Sequence, residues 1–135
     1  MAEPLAFEVR LSEPYDKAIE KVTAALKTEG FGILTRIDVH TTLKEKLGAG
    51  FRPYAILGAC NPPLAHRALE REARVGLLLP CNVTVEAGPE GGSIVRIGNP
   101  EVLLNVGGLG GDAVLGEVAV EVRARLERVA KVLGG

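Results

Sequence analysis

The sequence predicts an α+β fold, a mainly antiparallel sheet of about five strands with helices packed on one face. Strand and helix patterns alternate along the 135 residues, and two of the strands are joined by a tight turn that makes them antiparallel neighbours. The outward strand positions are polar, which leaves the second sheet face wet or open to a partner. These outward residues are Glu8, Arg10, Arg36, Asp38, Thr84, Glu86 and Arg96.

At residue 12 the spacing of the apolar residues changes from that of a strand to that of a helix. Apolar residues alternate with polar or small ones over residues 5–11, as in a half-buried strand. A helix follows, with Ser12 as its expected cap, Pro14 in its first turn and Gly30 at its end. Its buried face is formed by residues at helical spacing, namely Tyr15, Ala18, Ile19, Val22, Ala25 and Leu26.

A second strand, a short helix and a third strand come next. The short helix covers residues 41–47 and ends at Gly48, and residues 54–60 are apolar on both faces, which is typical of a strand inside the sheet. In the second strand, one side is expected to carry Phe31, Ile33, Ile37 and Val39, and the other Arg36 and Asp38.

The remaining elements are a helix, a hairpin and a long helix. Asn61 and the two prolines after it predict a cap and first turn, and the helix turns Leu64, Ala65, Ala68 and Leu69 inward. Residues 81–87 and a strand with Val95 and Ile97 flank the turn at residues 88–92. Asn99 and Pro100 begin a short helical turn. Asp112 caps the last helix, whose apolar stripe is Val114, Leu115, Val118, Val122, Leu126, Val129 and Leu133.

Length and composition limit the domain organisation and the kinds of partner that the protein can bind. The length fits a single domain spanning residues 1–135, since no linker or low-complexity tract interrupts it. Sixteen basic and seventeen acidic residues give a net charge of −1. The chain therefore has no excess of positive charge to attract the phosphates of a nucleic acid or an anionic lipid surface. With two Tyr, three Phe and no Trp, the chain also lacks platforms for stacking bases. Nucleic acid and membrane are therefore not expected partners.

The N-terminus has neither a basic start nor an apolar stretch of signal-peptide length, and no uncharged run approaches the length of a membrane span. Two cysteines in such a chain are expected to be reduced thiols. A cytoplasmic location is the expectation.

Two Cys-Asn pairs are the candidate functional residues. Cys60 ends the third strand directly before a helix N-terminus, where free N–H groups and the helix dipole favour a thiolate. Cys81 begins the fourth strand, so the two thiols share one end of the sheet only if these strands run antiparallel. Two alternatives stay open: both thiols are core residues, or one is a redox or nucleophilic group.

A metal site is a weaker hypothesis. His40 and His66 are the only histidines, and with Cys60 and Cys81 they could make a mixed tetrahedral site. The spacing matches no metal motif, and His66 lies one turn before Glu70 on a polar helix face, so we favour a solvated side chain and expect no metal.

Other chemical signals are weak. The glycines of residues 107–111 precede a helix like a phosphate-binding loop, but Asp112 would repel an anion, so a turn is the better interpretation. None of the motifs Gly-x-Ser-x-Gly, His-Glu-x-x-His or Cys-x-x-Cys occurs. Enzyme status and cofactor stay undetermined.

The chain resembles the family called domain of unknown function 302 over nearly its whole length. The resemblance is carried by Lys46-Leu47-Gly48, Tyr54, Ile56-Leu57-Gly58, Cys60-Asn61-Pro62 and Leu79-Pro80-Cys81-Asn82-Val83. It implies a fold similar to that of the TATA-binding protein, with a curved antiparallel sheet, and a homodimer. It does not imply DNA binding, because fold alone carries no function.

Three functions follow as hypotheses. The first is a ligand-binding or assembly module with a small-molecule site formed by Cys60, Asn61, Cys81, Asn82 and Tyr54. The second is a thiol-dependent redox or metal-binding protein that uses Cys60 and Cys81. The third is a hydrolase or isomerase whose acid and base lie far apart in the sequence.

Overall fold

The computed structural model describes residues 3–134 and confirms the α+β class. Its sheet is open and antiparallel throughout, with the strand order β1-β5-β4-β3-β2. The strands are β1 (Ala6–Leu11), β2 (Gly32–Asp38), β3 (Tyr54–Cys60), β4 (Cys81–Ala87) and β5 (Ser93–Gly98). The chain therefore crosses from one edge strand, β1, to the other, β2, before the remaining strands return in order.

Helices fill the connections between the strands. The α-helices are α1 (Tyr15–Thr28), α2 (Val39–Leu47), α3 (Pro62–Arg71), α4 (Pro100–Val106) and α5 (Ala113–Leu133). A 3-10 helix, Ala73–Leu78, links α3 to β4, and a cis peptide bond joins Leu79 to Pro80. No helix within residues 3–134 combines the length and the apolar character needed to cross a bilayer.

The core lies between one sheet face and the helices α1, α3 and α5. It is lined by alternate strand residues, including Leu57, Val83 and Ile97, because successive side chains of a strand point to opposite faces. The stripe predicted for the last helix is confirmed at Leu126 and Val129, which are fully buried. Two residues expected inside, Leu5 and Leu69, are instead exposed.

Side-chain caps begin three of the helices as expected. Asn61, Asn99 and Asp112 each accept a backbone N–H from the first turn of α3, α4 and α5, respectively. The predicted cap at Ser12 is wrong, because α1 begins at Tyr15 and Pro14 takes the capping position without a side-chain bond.

The second strand corrects another expectation. The pairing shifts between Ile33 and Thr35, and this β-bulge reverses which face the following side chains occupy. Arg36 pairs with Leu57 and Asp38 with Ala55 on the helix-covered face, where Asp38 Oδ1 accepts a 2.6 Å hydrogen bond from Tyr15 Oη. Arg36 and Asp38 are therefore not outward, Ile37 lies on the open face, and Val39 already belongs to α2.

The open face carries Glu8, Glu86 and Arg96, as the alternation of the strands predicted, and the structure adds that these charges pair with one another. Glu86 is 5% exposed, although no helix of the core covers it. It binds Arg52 across 2.5 Å and also pairs with Arg96, which in turn binds Glu8 at 2.9 Å. Two arginines thus enclose one strand carboxylate. Burial disfavours the charged form of Glu86, but hydrogen bonds from Arg52 and Arg96 outweigh it, so its pKa is lowered.

Candidate functional site

The two cysteines lie at the same end of the sheet. β3 and β4 are antiparallel, and Cys81 pairs with Ala59, the residue before Cys60. The expected reversal of direction between the third and fourth strands is therefore confirmed. Both thiols are free and partly buried. We call this edge, where β3 ends and β4 begins, the cysteine end of the sheet.

Asn61 holds the start of α3 against the end of α1. Its Oδ1 accepts the N–H of Leu64 at 3.3 Å, and its Nδ2 donates to the carbonyl oxygen of Glu29 at 3.3 Å. The side chain passes so close to Gly30 that a Cβ there would lie 2.9 Å from Nδ2. Because both the oxygen and the nitrogen of its amide form hydrogen bonds with the backbone, Asn61 has a structural role.

Gly58 and Pro80, two residues of the family signature, are packed against each other. A Cβ at Gly58 would lie 2.6 Å from Cγ of Pro80 and would also collide with Oγ1 of Thr35. Asn82 pairs with Gly58 in the sheet and remains exposed. This part of the signature therefore secures the entry of β4 into the sheet.

Two adjoining cavities lie behind the cysteine end, between the sheet and the helices. The larger, of about 80 Å³, is called the large lobe, and the smaller, of about 40 Å³, the small lobe. The large lobe alone is lined by Val75, Leu78, Asn82, Gly98, Pro100, Leu103, Leu104, Leu115 and Ala119. The small lobe alone is lined by Phe31, Ala59, Cys60, Asn61, Leu64 and Ala65. Their shared wall is Ala68, Leu79, Cys81, Val118 and Val122.

Cys81 stands in this apolar wall as a protonated thiol. Burial raises its pKa to about 11, and the neighbouring Cys60 contributes to the rise. Because only the thiolate is a strong nucleophile, this environment opposes redox or nucleophilic chemistry at Cys81. Among residues 3–134, those lining the two lobes include no charged side chain that would stabilise a thiolate.

Tyr54 and His40 lie far from the cysteines. Tyr54 begins β3 and Cys60 ends it, a separation of roughly 20 Å along the strand. His40 accepts the backbone N–H of Tyr54 at 3.1 Å, which ties α2 to this distant end of β3. Tyr54 is thus not brought together with the four other candidate residues.

The four residues of the hypothetical metal site are likewise dispersed. His66 is exposed on α3, where its Nε2 lies 3.1 Å from Glu70, and His40 is at the opposite end of the sheet from Cys60. Within the described part of the chain, no group of three or more His, Cys, Asp or Glu side chains is arranged to hold a metal ion.

The glycine-rich stretch forms the turn between α4 and α5. Asp112, which follows it, caps α5 and binds Arg71 at 2.9 Å, so the carboxylate occupies the helix N-terminus that an anion would need. The arrangement supports the interpretation as a turn.

Several residues of the cavity were not singled out from the sequence. Ala68, Val118 and Val122 follow ordinary helical spacing, and nothing in that pattern distinguishes a cavity wall from solid core. Asn99 is fully buried, caps α4 and donates to the carbonyl oxygen of Pro4 at 3.0 Å. Asn99 lines neither lobe; the Asn-Pro pair that it shares with Asn61 predicted the start of a helical turn there.

Comparisons with known proteins agree with the signature. The crystal structure of an uncharacterized conserved protein DUF302 from Bacillus stearothermophilus is similar, with 31% sequence identity and a TM-score of 0.84. The match covers 96% of this chain and 98% of that one. No curated protein matches. The family described as "Domain of unknown function DUF302" matches residues 7–133, and the chain therefore belongs to that family.

Proposed function

We propose that the protein binds a small, uncharged, apolar molecule in the cavity behind the cysteine end of the sheet. The observation that carries the proposal is the pair of apolar lobes at the residues Cys60, Asn61, Cys81 and Asn82. Leaving about 80 Å³ of apolar space unfilled costs a fold about 2 kcal/mol. A ligand that fills the space makes van der Waals contacts that the side chains around the empty cavity lack.

The walls define the chemistry of the ligand. The residues that line the lobes are apolar or glycine apart from two cysteines and two asparagines. A charged ligand would lose its hydration there without gaining an ionic partner. The thiol of Cys81 offers a polarisable surface, which suits an apolar molecule.

The thiol-dependent alternative has less support. A redox or nucleophilic role needs a thiolate near neutral pH, whereas the raised pKa of Cys81 favours the neutral thiol. We therefore place Cys81 in the binding wall and assign it no covalent step.

Binding is tested with benzene and cyclohexane as probes. We expect either probe to shift the carbon-13 methyl resonances of Leu79, Val118 and Val122 in a saturable way and to raise the melting temperature. Shifts spread evenly over surface methyl groups, or no saturation, would contradict the proposal.

A filling variant provides the control. Ala119 is buried in α5 and lines the large lobe, so Ala119→Leu should abolish binding of the probes while leaving the melting temperature unchanged or higher. Ala24→Leu, on the exposed face of α1, is the matched control and should bind normally. Unaltered binding by Ala119→Leu would place the probe elsewhere.

Assembly is the second candidate, and it is favoured by one surface. The open sheet face carries an apolar patch of Ile37, Phe51, Tyr54 and Ile56, in which Ile37 pairs with Ile56 and the rings of Phe51 and Tyr54 are 6.2 Å apart. α2, beside it, has no buried residue. The adjacent charges of the open face alternate in sign, so a second copy related by two-fold symmetry is a complementary partner.

The homodimer is tested by sedimentation equilibrium. Ile37→Glu should shift the protein toward the monomer, because two patches would then bring like charges together. Val132→Glu, which adds the same charge at an exposed residue of α5, should leave the mass unchanged. A monomeric wild-type protein at every concentration would contradict this assembly.

A further inference from the structure

We infer that the ligand is a flexible linear hydrocarbon chain that occupies both lobes and passes Ala68. The inference rests on the proposed function and adds the shape of the molecule. It comes from the layout of the two cavities, which share a wall of five residues and are otherwise lined by different parts of the chain.

The shared wall gives the geometry. Ala68 from α3, Cys81 and Leu79 from the start of β4, and Val118 and Val122 from α5 border both lobes. A molecule that enters one lobe and continues into the other must pass among these five side chains. The large lobe lies toward α4, and the small lobe lies toward Phe31 and the first turn of α3.

The size of Ala68, which lies between the two lobes, limits the cross-section of the ligand. Ala68 is 5% exposed and is among the smallest side chains available, so a larger residue there would fill the passage. A compact ring fills the large lobe of about 80 Å³ and leaves the small lobe of about 40 Å³ unused. A saturated chain is narrow, bends by rotation about single bonds, and gains contacts in both lobes.

The experiment uses a homologous series of primary alcohols from propanol to decanol, with binding measured by titration calorimetry. Each added CH₂ group should tighten binding about fourfold while it enters the cavity. The gain should stop once both lobes are filled. This break in the series is the expected mark of a chain-shaped site.

Two variants locate the break. Ala68→Leu fills the passage, and Ala65→Leu fills the small lobe without touching the passage. Each should move the break to a shorter alcohol. Ala65 does not line the large lobe, so Ala65→Leu should also leave the affinity for propanol and benzene within about twofold, the equivalent of less than 0.5 kcal/mol. Ala24→Leu, on the exposed face of α1, should behave like the wild type. If Ala68→Leu does not fold, Ala65→Leu alone carries the test.

The outcomes separate the two claims. If benzene and short alcohols bind but the break is the same in the wild type and in Ala65→Leu, the linear shape is wrong and the proposed function stands. If no probe binds, the lobes are an empty packing void and both claims fail. A break that shifts in the variants supports the chain that spans both lobes.

Discussion

At the scale of single residues, close contacts explain why two positions are glycine, one inside the family signature and one outside it. Gly58 lies beneath Pro80 and Thr35, and Gly30 leaves room for the amide of Asn61. Neither glycine reaches the cavity walls. The signature therefore combines residues that shape the cysteine end with residues that line it.

Gly58→Ala should destabilise the protein by about 1–3 kcal/mol, because the new Cβ overlaps Pro80 and Thr35 in a packed region. Urea unfolding followed by circular dichroism measures the loss. Gly50→Ala is the control, since a Cβ at Gly50 meets nothing within 4 Å. Equal stability of the two variants would show that Pro80 does not pack on Gly58.

The thiol of Cys81 should react slowly with iodoacetamide at neutral pH, with a midpoint near its pKa of about 11. In the unfolded chain the thiol ionises near pH 8.5. A raised pKa in the folded state stabilises the fold fully below that pH, and the contribution is lost as the pH rises toward 11.

Cys81→Ala removes this contribution. The difference in unfolding free energy between wild type and variant should therefore shrink from pH 8 to pH 11. Tyr15 also has a raised pKa, through burial and the bond to Asp38, but it titrates in both proteins and cancels in the difference. A reaction midpoint below pH 8.5 would show an activated thiol and revive the redox hypothesis.

At the scale of elements, buried or half-buried polar side chains connect the secondary structure. Asn61 joins α3 to α1, His40 joins α2 to β3, and Glu86 joins β4 to β5 and to the segment before β3. Such groups are costly to leave unpaired inside a protein, so each fixes one arrangement of its elements.

Asn61→Ala should cost about 1–2 kcal/mol, since it removes the cap of α3 and the bond to Glu29. Asn61→Asp keeps the capping acceptor but loses the donor, and we expect an intermediate loss. Asn105→Ala, at an exposed position of α4, is the control for replacing an asparagine. Chemical unfolding of the three variants gives the order of their stabilities. If Asn61→Asp lowers the free energy of unfolding as much as Asn61→Ala does, the cap contributes nothing.

Glu86→Gln should lower the free energy of unfolding at pH 7 by about 1–2 kcal/mol, because the two arginines lose their shared carboxylate. The pKa of Glu86 is below its ordinary value of 4.5. Its contribution is therefore complete above pH 4.5 and is lost as the pH falls. The two proteins should converge in stability toward pH 3, and a difference that stays constant with pH would exclude this charge network as the cause.

At the scale of the whole molecule, most of the architecture was accessible from the sequence. The bounds of β3 and β4 and the starts of α3 and α4 agree with prediction, because alternation and Asn-Pro caps are local signals. The bulge in β2 was not predictable, since it is decided by the pairing of Thr35 with Gly58 and by the bond from Tyr15 to Asp38. The cavity could not be predicted either, because it depends on how well distant helices fill the space between them.

The candidate site was only partly accessible for the same reason. Two Cys-Asn pairs marked the correct end of the sheet, whereas the helix residues that complete the lobes carry no distinguishing pattern. Tyr54 was grouped with them through the family signature and lies at the other end of β3. The likeness to the TATA-binding protein, the single domain and the homodimer remain predictions.

The most direct test of the binding cavity is a crystal of the protein pressurised with xenon, an uncharged apolar atom that binds in dry hydrophobic cavities. We expect an anomalous peak bounded by Leu79, Cys81, Val118 and Val122, and no peak at that place in crystals of Ala119→Leu. Ordered water there in place of xenon, or xenon bound only at other positions, would contradict the account.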